Sequence, residues 1–277
     1  MLVTTRIRRW VPFIPLAVLV LLALIGPFVV PFQPERVAGA AARPPGDGFL
    51  FGTDSTGMDV FSRTIVAARI NLLMALLVTL AATAFGVPLG MVIGMNEARR
   101  GPLGWFGRAG TRVVDLSDAV PALIVGVVVV GLFGASMASL TVALAILLMP
   151  NQIRLTRVEV LKVRHDAYLD AARMAGLSNG RIMVRHVLPN SVRPALENAS
   201  FVFGLSIIVS ASLGFLGLGL RPPTPEWGVM IASGVSDVML GRWWTALFPA
   251  LALCVAVASA SAAGAAITRL SRSTARR

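Results

Sequence analysis

Residues 166–190 read DAYLDAARMAGLSNGRIMVRHVLPN, and their reading decides the rest, because this polar stretch rich in Ala and Gly lies within a chain otherwise apolar enough for a membrane. From Tyr168 to Met174 the residues favour helix, and Ala171, Ala172 and Ala175 leave a low-profile face that another protein's groove can approach closely. Gly176 ends or bends that helix, since glycine best tolerates the left-handed conformation common just past a helix C-terminus. Ser178 and Asn179 can cap a second short helix over 180–187, which Pro189 is expected to stop. The expected unit is a helix-turn-helix outside the bilayer on which something docks. The plainer alternative is an amphipathic surface loop with no partner.

Composition fixes the class around that stretch. Of 277 residues, 56% are hydrophobic and 14% charged, and the mean hydropathy is +0.79. Soluble domains hold roughly 45–50% apolar and about 25% charged residues, so this is an integral membrane protein. Apolar runs near the ~20 residues needed to cross a bilayer fall at 11–30, 70–95, 113–133, 137–153, 195–216 and 244–267, which predicts six transmembrane helices. The fourth carries Pro150 and is expected to kink there and run on toward Glu159. Glycines and prolines inside the spans, such as Gly86, Pro88, Gly90, Gly126 and Gly131, are tolerated because neighbouring helices re-satisfy the backbone.

Charge sets the orientation. With the N-terminus inside, nineteen of the 25 basic residues fall on cytoplasmic segments, while the six on outer loops are matched by Glu35, Asp47, Asp54, Asp59, Glu226 and Asp237. The positive-inside rule then places both termini in the cytoplasm. The net charge of +12 reflects this orientation and an attraction to anionic lipid headgroups rather than binding of nucleic acid. The first span follows Arg8-Arg9 and precedes Ala38-Gly39-Ala40, so a cleaved signal peptide is an alternative. Its apolar run exceeds the usual 7–15 residues and Pro31-Phe32-Gln33-Pro34 intervenes, which favours a retained anchor.

Several chemistries lack their residues. Cys254, the single cysteine, sits in an apolar run and reads as a small buried hydrophobe, and His165 and His186 have no further metal-ligand cluster beside them. The sequence holds no G-x-x-x-x-G-K-[ST] phosphate loop, so ATP hydrolysis by that route needs a partner. Ser206, Ser210 and Ser212 lack a paired base and read as groups that hydrogen-bond between helices. No catalytic residue is assigned. Asp115, Asp118 and Glu197 lie near expected helix starts, where the positive end of the dipole and Arg112 or Arg193 favour them.

Asp170-Ala171-Ala172, three residues, Gly176, and Leu188-Pro189 twelve residues later resemble the EAA loop of ABC-importer permeases. His186-Val187-Leu188-Pro189-Asn190 narrows the likeness to the dipeptide/oligopeptide/nickel group. Two further stretches resemble the C-type subunit of that group. The first is Phe51-Gly52-Thr53-Asp54, followed by Gly57-Met58-Asp59; the second is 212–219, SLGFLGLG, with Pro222-Pro223-Thr224-Pro225-Glu226-Trp227-Gly228. Departures exist: Ser210 stands where many relatives have glutamate, Gly214 where they often have serine, and the acidic tail pattern is missing. In the last span Ala256, Ala260 and Gly264 instead make a close-packing face.

The resemblance implies an all-α membrane protein with six transmembrane helices and the type I ABC-importer permease fold. Residues 1–50 hold the tail, first helix and start of the outer loop; 51–69 an amphipathic segment on the outer membrane surface; 70–268 the core with its coupling loop at 154–193; and 269–277 a basic tail. In that segment Phe61, Ile65, Ala68 and Leu72 recur at helical spacing and Asp59 pairs with Arg63 on the opposite face.

The implied ATPase-coupling interface is Tyr168, Asp170, Ala171, Ala172, Ala175, Gly176, Leu177, Arg181, His186, Leu188, Pro189 and Asn190. Gly52, Asp54, Gly57, Asp59, Phe215, Gly217, Gly219 and Trp227 are implied at the outer loop and gate, with Trp227, Trp243 and Trp244 suited to the headgroup belt. The implied partners are a homologous B-type permease, two ATPase domains carrying ATP and Mg, and an extracytoplasmic solute-binding protein, in a bacterial cytoplasmic membrane. This chain is expected to hold no metal or cofactor of its own. Peptide, nickel, haem or another solute all fit the pattern. An ion-coupled secondary transporter would need ligands on broken helices and an internal repeat, and a non-transporting scaffold would leave the docking loop without a purpose.

Overall fold

A computed structural model describes residues 10–117, 119–164 and 166–274, with side chains except those of Ala122, Asp170, Arg173 and 271–274. Asp118 and His165 thus lie outside the described residues. A short 3₁₀ turn, Val11–Phe13, opens α1, Ile14–Val29. There follow α2 (Val60–Asn96), α3 (Pro102–Ser117), α4 (Ala122–Phe133), α5 (Met137–Val163), α6 (Ala167–Met174) and α7 (Asn179–Ile182). A π-helical turn, Met183–Val187, leads into α8 (Leu188–Ser191), then α9 (Arg193–Phe215), α10 (Trp227–Val238) and α11 (Trp244–Thr274). Among the described residues the remaining regular pairings are two isolated bridges, Gly46 with Phe49 and Thr53 with Asp59.

Among the described residues, five helices are long and apolar enough to cross a membrane: Val11–Val29, Val60–Asn96, Met137–Val163, Arg193–Phe215 and Trp244–Leu270. The expected third span, 113–133, is broken instead. Pro121 has no amide hydrogen and disfavours helix at the residue before it, and the chain tightens through Ala119 N to Leu116 O at 3.0 Å and Val120 N to Ser117 O at 3.3 Å. What remains apolar is α4, whose 12 residues reach only about 18 Å at ~1.5 Å each. Asp115 therefore sits in the last turn of α3 and not in a first turn, at the end whose dipole is unfavourable to an anion. Pro150 lies inside a continuous α5, which runs past Glu159 as expected.

The chain divides into two compact units, each assembled from separate stretches of sequence. One comprises residues up to 78, 123–144 and those from 203 onward. Its core joins Leu19 and Ala23 of α1 to Ala67, Ala68, Leu72 and Ala75 of α2, Ile207 of α9, Trp227 and Met230 of α10, and Ala256 of α11. Ala256, Ala260 and Gly264 are buried, so the small-residue face of the last helix does pack closely. Ser206, Ser210 and Ser212 bond back to carbonyls of their own helix, Phe203, Ile207 and Ile208, rather than across helices. Cys254 is exposed on the chain, not buried.

The segment 51–69 does not form a separate helix on a surface. From Val60 it is the opening of α2, whose 37 residues span about 55 Å at ~1.5 Å each. Asp59 and Arg63, expected on the exposed side, are 1% and 5% exposed. Asp59 caps the helix, its Oδ2 accepting from Ser62 N at 2.8 Å, while Arg63 pairs with Asp54 at 3.7 Å and donates to the Pro34 and Pro223 carbonyls at 2.8 and 3.1 Å. A buried guanidinium is tolerated where carboxylate and carbonyl oxygens surround it. The α2 opening is polar on its inner face because loops from both sides of the chain fold over it.

The other unit holds 79–122 and 145–202, and glycine spacing organises it. Gly86, Gly90 and Gly94 lie one turn apart along α2, and each faces backbone or stem atoms of α5. A Cβ at Gly90 would collide with the Ile153 carbonyl, and one at Gly94 would lie 2.9 Å from Val160 Cγ1. These glycines are thus not merely tolerated; they let two helix backbones touch. Gln152, fully buried in this seam, donates to Thr83 Oγ1 at 3.0 Å. Ile93, Val114 and Ile153 close an apolar cluster between α2, α3 and α5.

Gly90→Ala is expected to cost about 1–3 kcal/mol by overpacking, seen as a lower Tm of the detergent-purified protein. Gly131→Ala, where no atom lies within 4 Å, should be neutral or slightly stabilising. Equal effects at both positions would refute the close approach.

Candidate functional site

The sequence element quoted first folds as two helical arms on a buried base. Leu169 from α6, Ile182 from α7 and Val187 from the π turn are fully buried against Met91 and Met95 of α2 and Val160 of α5. These anchors were not singled out from sequence, although their apolar character amid Ala, Gly and Arg is the signal that marks them. Burying a side chain of this size contributes roughly 1.5–3 kcal/mol, so three of them hold the arms firmly on the long helices.

The turn between the arms follows its chemistry. Gly176 has φ +79°, Leu177 N donates to Ala172 O at 3.2 Å, and Leu177 and Ala172 both pack half-buried on the apolar base. This six-to-one bond is a Schellman closure, and it needs a residue free to adopt positive φ. Ser178 occupies the N-cap position of α7 in extended conformation without a side-chain cap bond. Pro189 does not stop the second arm. The chain widens into the π turn and Pro189 enters the first turn of α8, where its missing N–H is no loss, and α9 starts two residues after α8 ends.

The expected interface residues then fall into two sets. Ala171, Ala175, Gly176, Arg181, Pro189 and Asn190 are exposed, as is Tyr168, while Ala172, Leu177, His186 and Leu188 are half-buried. Asp170 is helical in backbone, and its side chain is outside those described. Asn190 Nδ2 donates to Tyr168 Oη at 3.2 Å and to the His186 carbonyl at 2.7 Å, and the Tyr168 and His186 rings lie 6.3 Å apart. Three residues from the two ends of the motif thus meet in one polar corner that ties the arms together.

An ion pair braces the base. Arg157 of α5 grips Glu97, just past α2, through two parallel bonds of 2.8 and 2.7 Å. That grip, with burial opposing it, holds the Glu97 carboxyl below its ordinary range. Arg164 also donates to the Gly94 carbonyl at 3.3 Å. Glu97 and Arg157 are 60 residues apart, and nothing in the local pattern pairs them.

The residues expected at the outer loop and gate assemble in the other unit. Asp54 Oδ1 accepts from Thr56 N, Thr56 Oγ1 and Met58 N at 2.9, 2.6 and 2.9 Å, and Asp59 caps α2. Gly52 and Gly57 turn at positive φ under neighbouring carbonyls of Arg43 and Gly39. Trp227 is 1% exposed and its Nε1 donates to Thr64 O at 3.0 Å; Trp244 is likewise buried and donates to Thr53 O at 3.1 Å. These two rings pin loops to helices rather than line a headgroup belt, whereas Trp243 is half exposed. Phe215 is also exposed, beside the positive-φ turn at Gly217. Gly219 lies under the Glu226 carboxylate, which caps α10, a helix the hydropathy pattern did not reveal. A glutamate after a proline run, followed by small and apolar residues at helical spacing, is the signal that marks it.

Residues 86–273 match the model of the binding-protein-dependent transport system inner membrane component, covering the glycine seam, the two arms and α9 to α11. The chain belongs to that family. It is similar to a di/tripeptide transport system permease protein DppC of Pseudomonas aeruginosa (strain UCBPP-PA14), 37% identical over 246 residues, covering 86% of this chain and 79% of the relative. It is also similar to a glutathione transport system permease protein GsiD of Pectobacterium atrosepticum, 37% identical over 213 residues, 77% and 68% of the two chains. A dipeptide transport system permease protein DppC of Alkalihalophilus pseudofirmus is 34% identical over 207 residues, 75% and 66%. The protein is a multi-pass membrane permease subunit of an ABC importer, a transport component and not itself an enzyme.

Leu169→Ala should loosen the permease's two arms from their base, at a cost of about 2–5 kcal/mol, read as faster backbone hydrogen exchange over 167–191. Unchanged exchange would refute the anchoring. Glu97→Gln should lower stability at neutral pH. For the native carboxylate, whose folded value is depressed, the contribution is full above its ordinary 4.5 and is lost as pH falls through the lowered value, whereas the variant should show no such acid-side loss.

Proposed function

We propose that this permease forms half of the translocation pathway of an ATP-driven importer of di- or oligopeptides, and that the arms spanning 167–191 are where a separate ATPase engages it. The observation that carries the reading is the seating of those arms. Leu169, Ile182 and Val187 hold them on the ends of α2 and α5, while Ala171, Ala175, Gly176 and Arg181 stay uncovered. A push on the uncovered side is therefore passed to two helices joined along a glycine seam, which act as a lever instead of absorbing the motion. The other half is a homologous B-type permease, with two ATPase domains binding ATP and Mg and a solute-binding protein delivering substrate outside. Both termini lie in the cytoplasm, which gives the basic segments their inside position.

Peptide is the favoured solute because relatives at 37% and 34% identity are named for di/tripeptide, dipeptide and glutathione transport. ATP binding closes the ATPase pair, the arms follow, and the helix bundles alternate between inward-facing and outward-facing states.

Ala171→Trp tests the lever, since Ala171 is exposed on α6 and needs no special backbone conformation. The expected outcome in proteoliposomes with all partner subunits is at least a tenfold loss of peptide uptake with ATP hydrolysis retained or its coupling to substrate lost. Normal coupled uptake by this variant would overturn the docking role.

A further inference from the structure

The link between α9 and α10 is built around one carboxyl group. Glu226 is 1% exposed, and its two oxygens accept the amides of Gly228 at 2.9 Å and Val229 at 3.1 Å at the start of α10. Glutamate is not among the residues usually favoured at this capping position, where Ser, Thr, Asp or Asn reach back with shorter stems. Here the longer stem folds into a space kept open by the chain itself. A Cβ at Gly214 of α9 would collide with Glu226 Oε2, and one at Gly219 would lie 2.9 Å from the same atom. Gly228 is pressed on the Ala211 backbone, so the last turns of α9, the 216–226 link and the first turn of α10 all close on this group.

Among the described residues the carboxyl's hydrogen bonds are to backbone amides. On the link, Arg221 is exposed; from α2, Arg63 reaches the same link at the Pro223 carbonyl and is paired with Asp54; on α9 the neighbouring polar groups, Ser210 and Ser212, are spent on their own helix; and Asp237, farther along α10, is paired with Arg242 at 3.5 Å. No charged side chain among the described residues is a cause of the carboxyl's displacement, which comes from burial with the two backbone bonds opposing it. An isolated buried carboxylate is costly, and the group responds by keeping its proton or by moving out to water.

We propose that Glu226 is a proton-binding site that latches this link: with the proton on, α9, the 216–226 segment and α10 stay closed as one piece, and with it off the carboxylate drives the segment open.

The sign follows from linkage. In the closed form the carboxyl is pushed up from 4.5 to about 7, while in an open, water-exposed form it returns to its ordinary value. Closure therefore takes up a proton. It is favoured fully at pH below about 4.5 and loses that advantage as pH rises through 7. The ratio of closed to open shifts by a factor on the order of 300 across the window, from the difference of the two values. Exchange between protonated and ionised forms near neutral pH lets modest external pH changes tune the link.

The test is backbone hydrogen exchange over 214–230 in the assembled transporter in lipid nanodiscs, from pH 5.5 to 8.5 and corrected for the intrinsic rate at each pH. The wild-type protein is expected to lose protection there by tenfold or more as pH rises through 7, with the arms at 167–191 unchanged. Glu226→Gln, neutral at every pH, is expected to flatten that profile. Protection of the wild-type segment that does not vary with pH would overturn the latch, and that result needs no variant to fold. A glutamine variant that keeps the wild-type pH profile would overturn the assignment to Glu226.

Discussion

Two helix backbones in contact along Gly86, Gly90 and Gly94 set the terms for everything built on the ends of α2 and α5. Where a side chain would separate the helices, its absence brings the Ile153 carbonyl and Thr156 against bare α-carbons, and the seam then tolerates neither bulk nor sliding. Beyond it, the Glu97–Arg157 grip fixes the register of the two helix ends, and Leu169, Ile182 and Val187 find their floor. A loop with few apolar residues of its own gains a fixed orientation because the surface beneath it is rigid.

The other unit meets a different constraint, the burial of polar groups among apolar helices. It does so with paired partners at every deep charge that organises a loop: Arg63 with Asp54 and two carbonyls, Asp59 with the start of α2, Trp227 and Trp244 with carbonyls of α2 and the preceding loop. The bonds from Arg63 to the Pro34 and Pro223 carbonyls and from the two tryptophans join positions distant in sequence, so the long segment between α1 and α2 is held as part of the core instead of hanging from it. Glu226 also bonds backbone amides alone among the described residues, at the start of α10, and its burial is what makes it responsive.

What was legible in the sequence was whatever a local pattern controls. Apolar runs located five long helices, and Ala-Ala before a glycine, with Pro189 following, located the two arms and their turn. The small face of Ala256, Ala260 and Gly264 is legible because four-residue spacing is itself a local quantity, and the three are buried. What failed was decided by distant partners or by one residue's veto. Pro121 split a run that hydropathy averages into a single span. Asp59 and Arg63 looked like a solvated face because the loops that cover them come from residues 34 and 223. Residue type alone suits Trp227 and Trp244 to a headgroup belt, whereas the carbonyls of Thr64 and Thr53 claim their ring nitrogens. In the arms, exposed and half-buried residues carry most of the resemblance, while Leu169 and Ile182, two of the three buried residues that seat them, do not stand out.

Tyr168 is the sole tyrosine of 277 residues, and it stands at the corner where Asn190 and His186 close the arms. The chain thus carries a built-in reporter: a fluorine atom introduced biosynthetically on that one phenol ring gives a single resonance from this subunit. It comes from the joint between the arms and from nowhere else in the subunit, with no cysteine engineering and no dye.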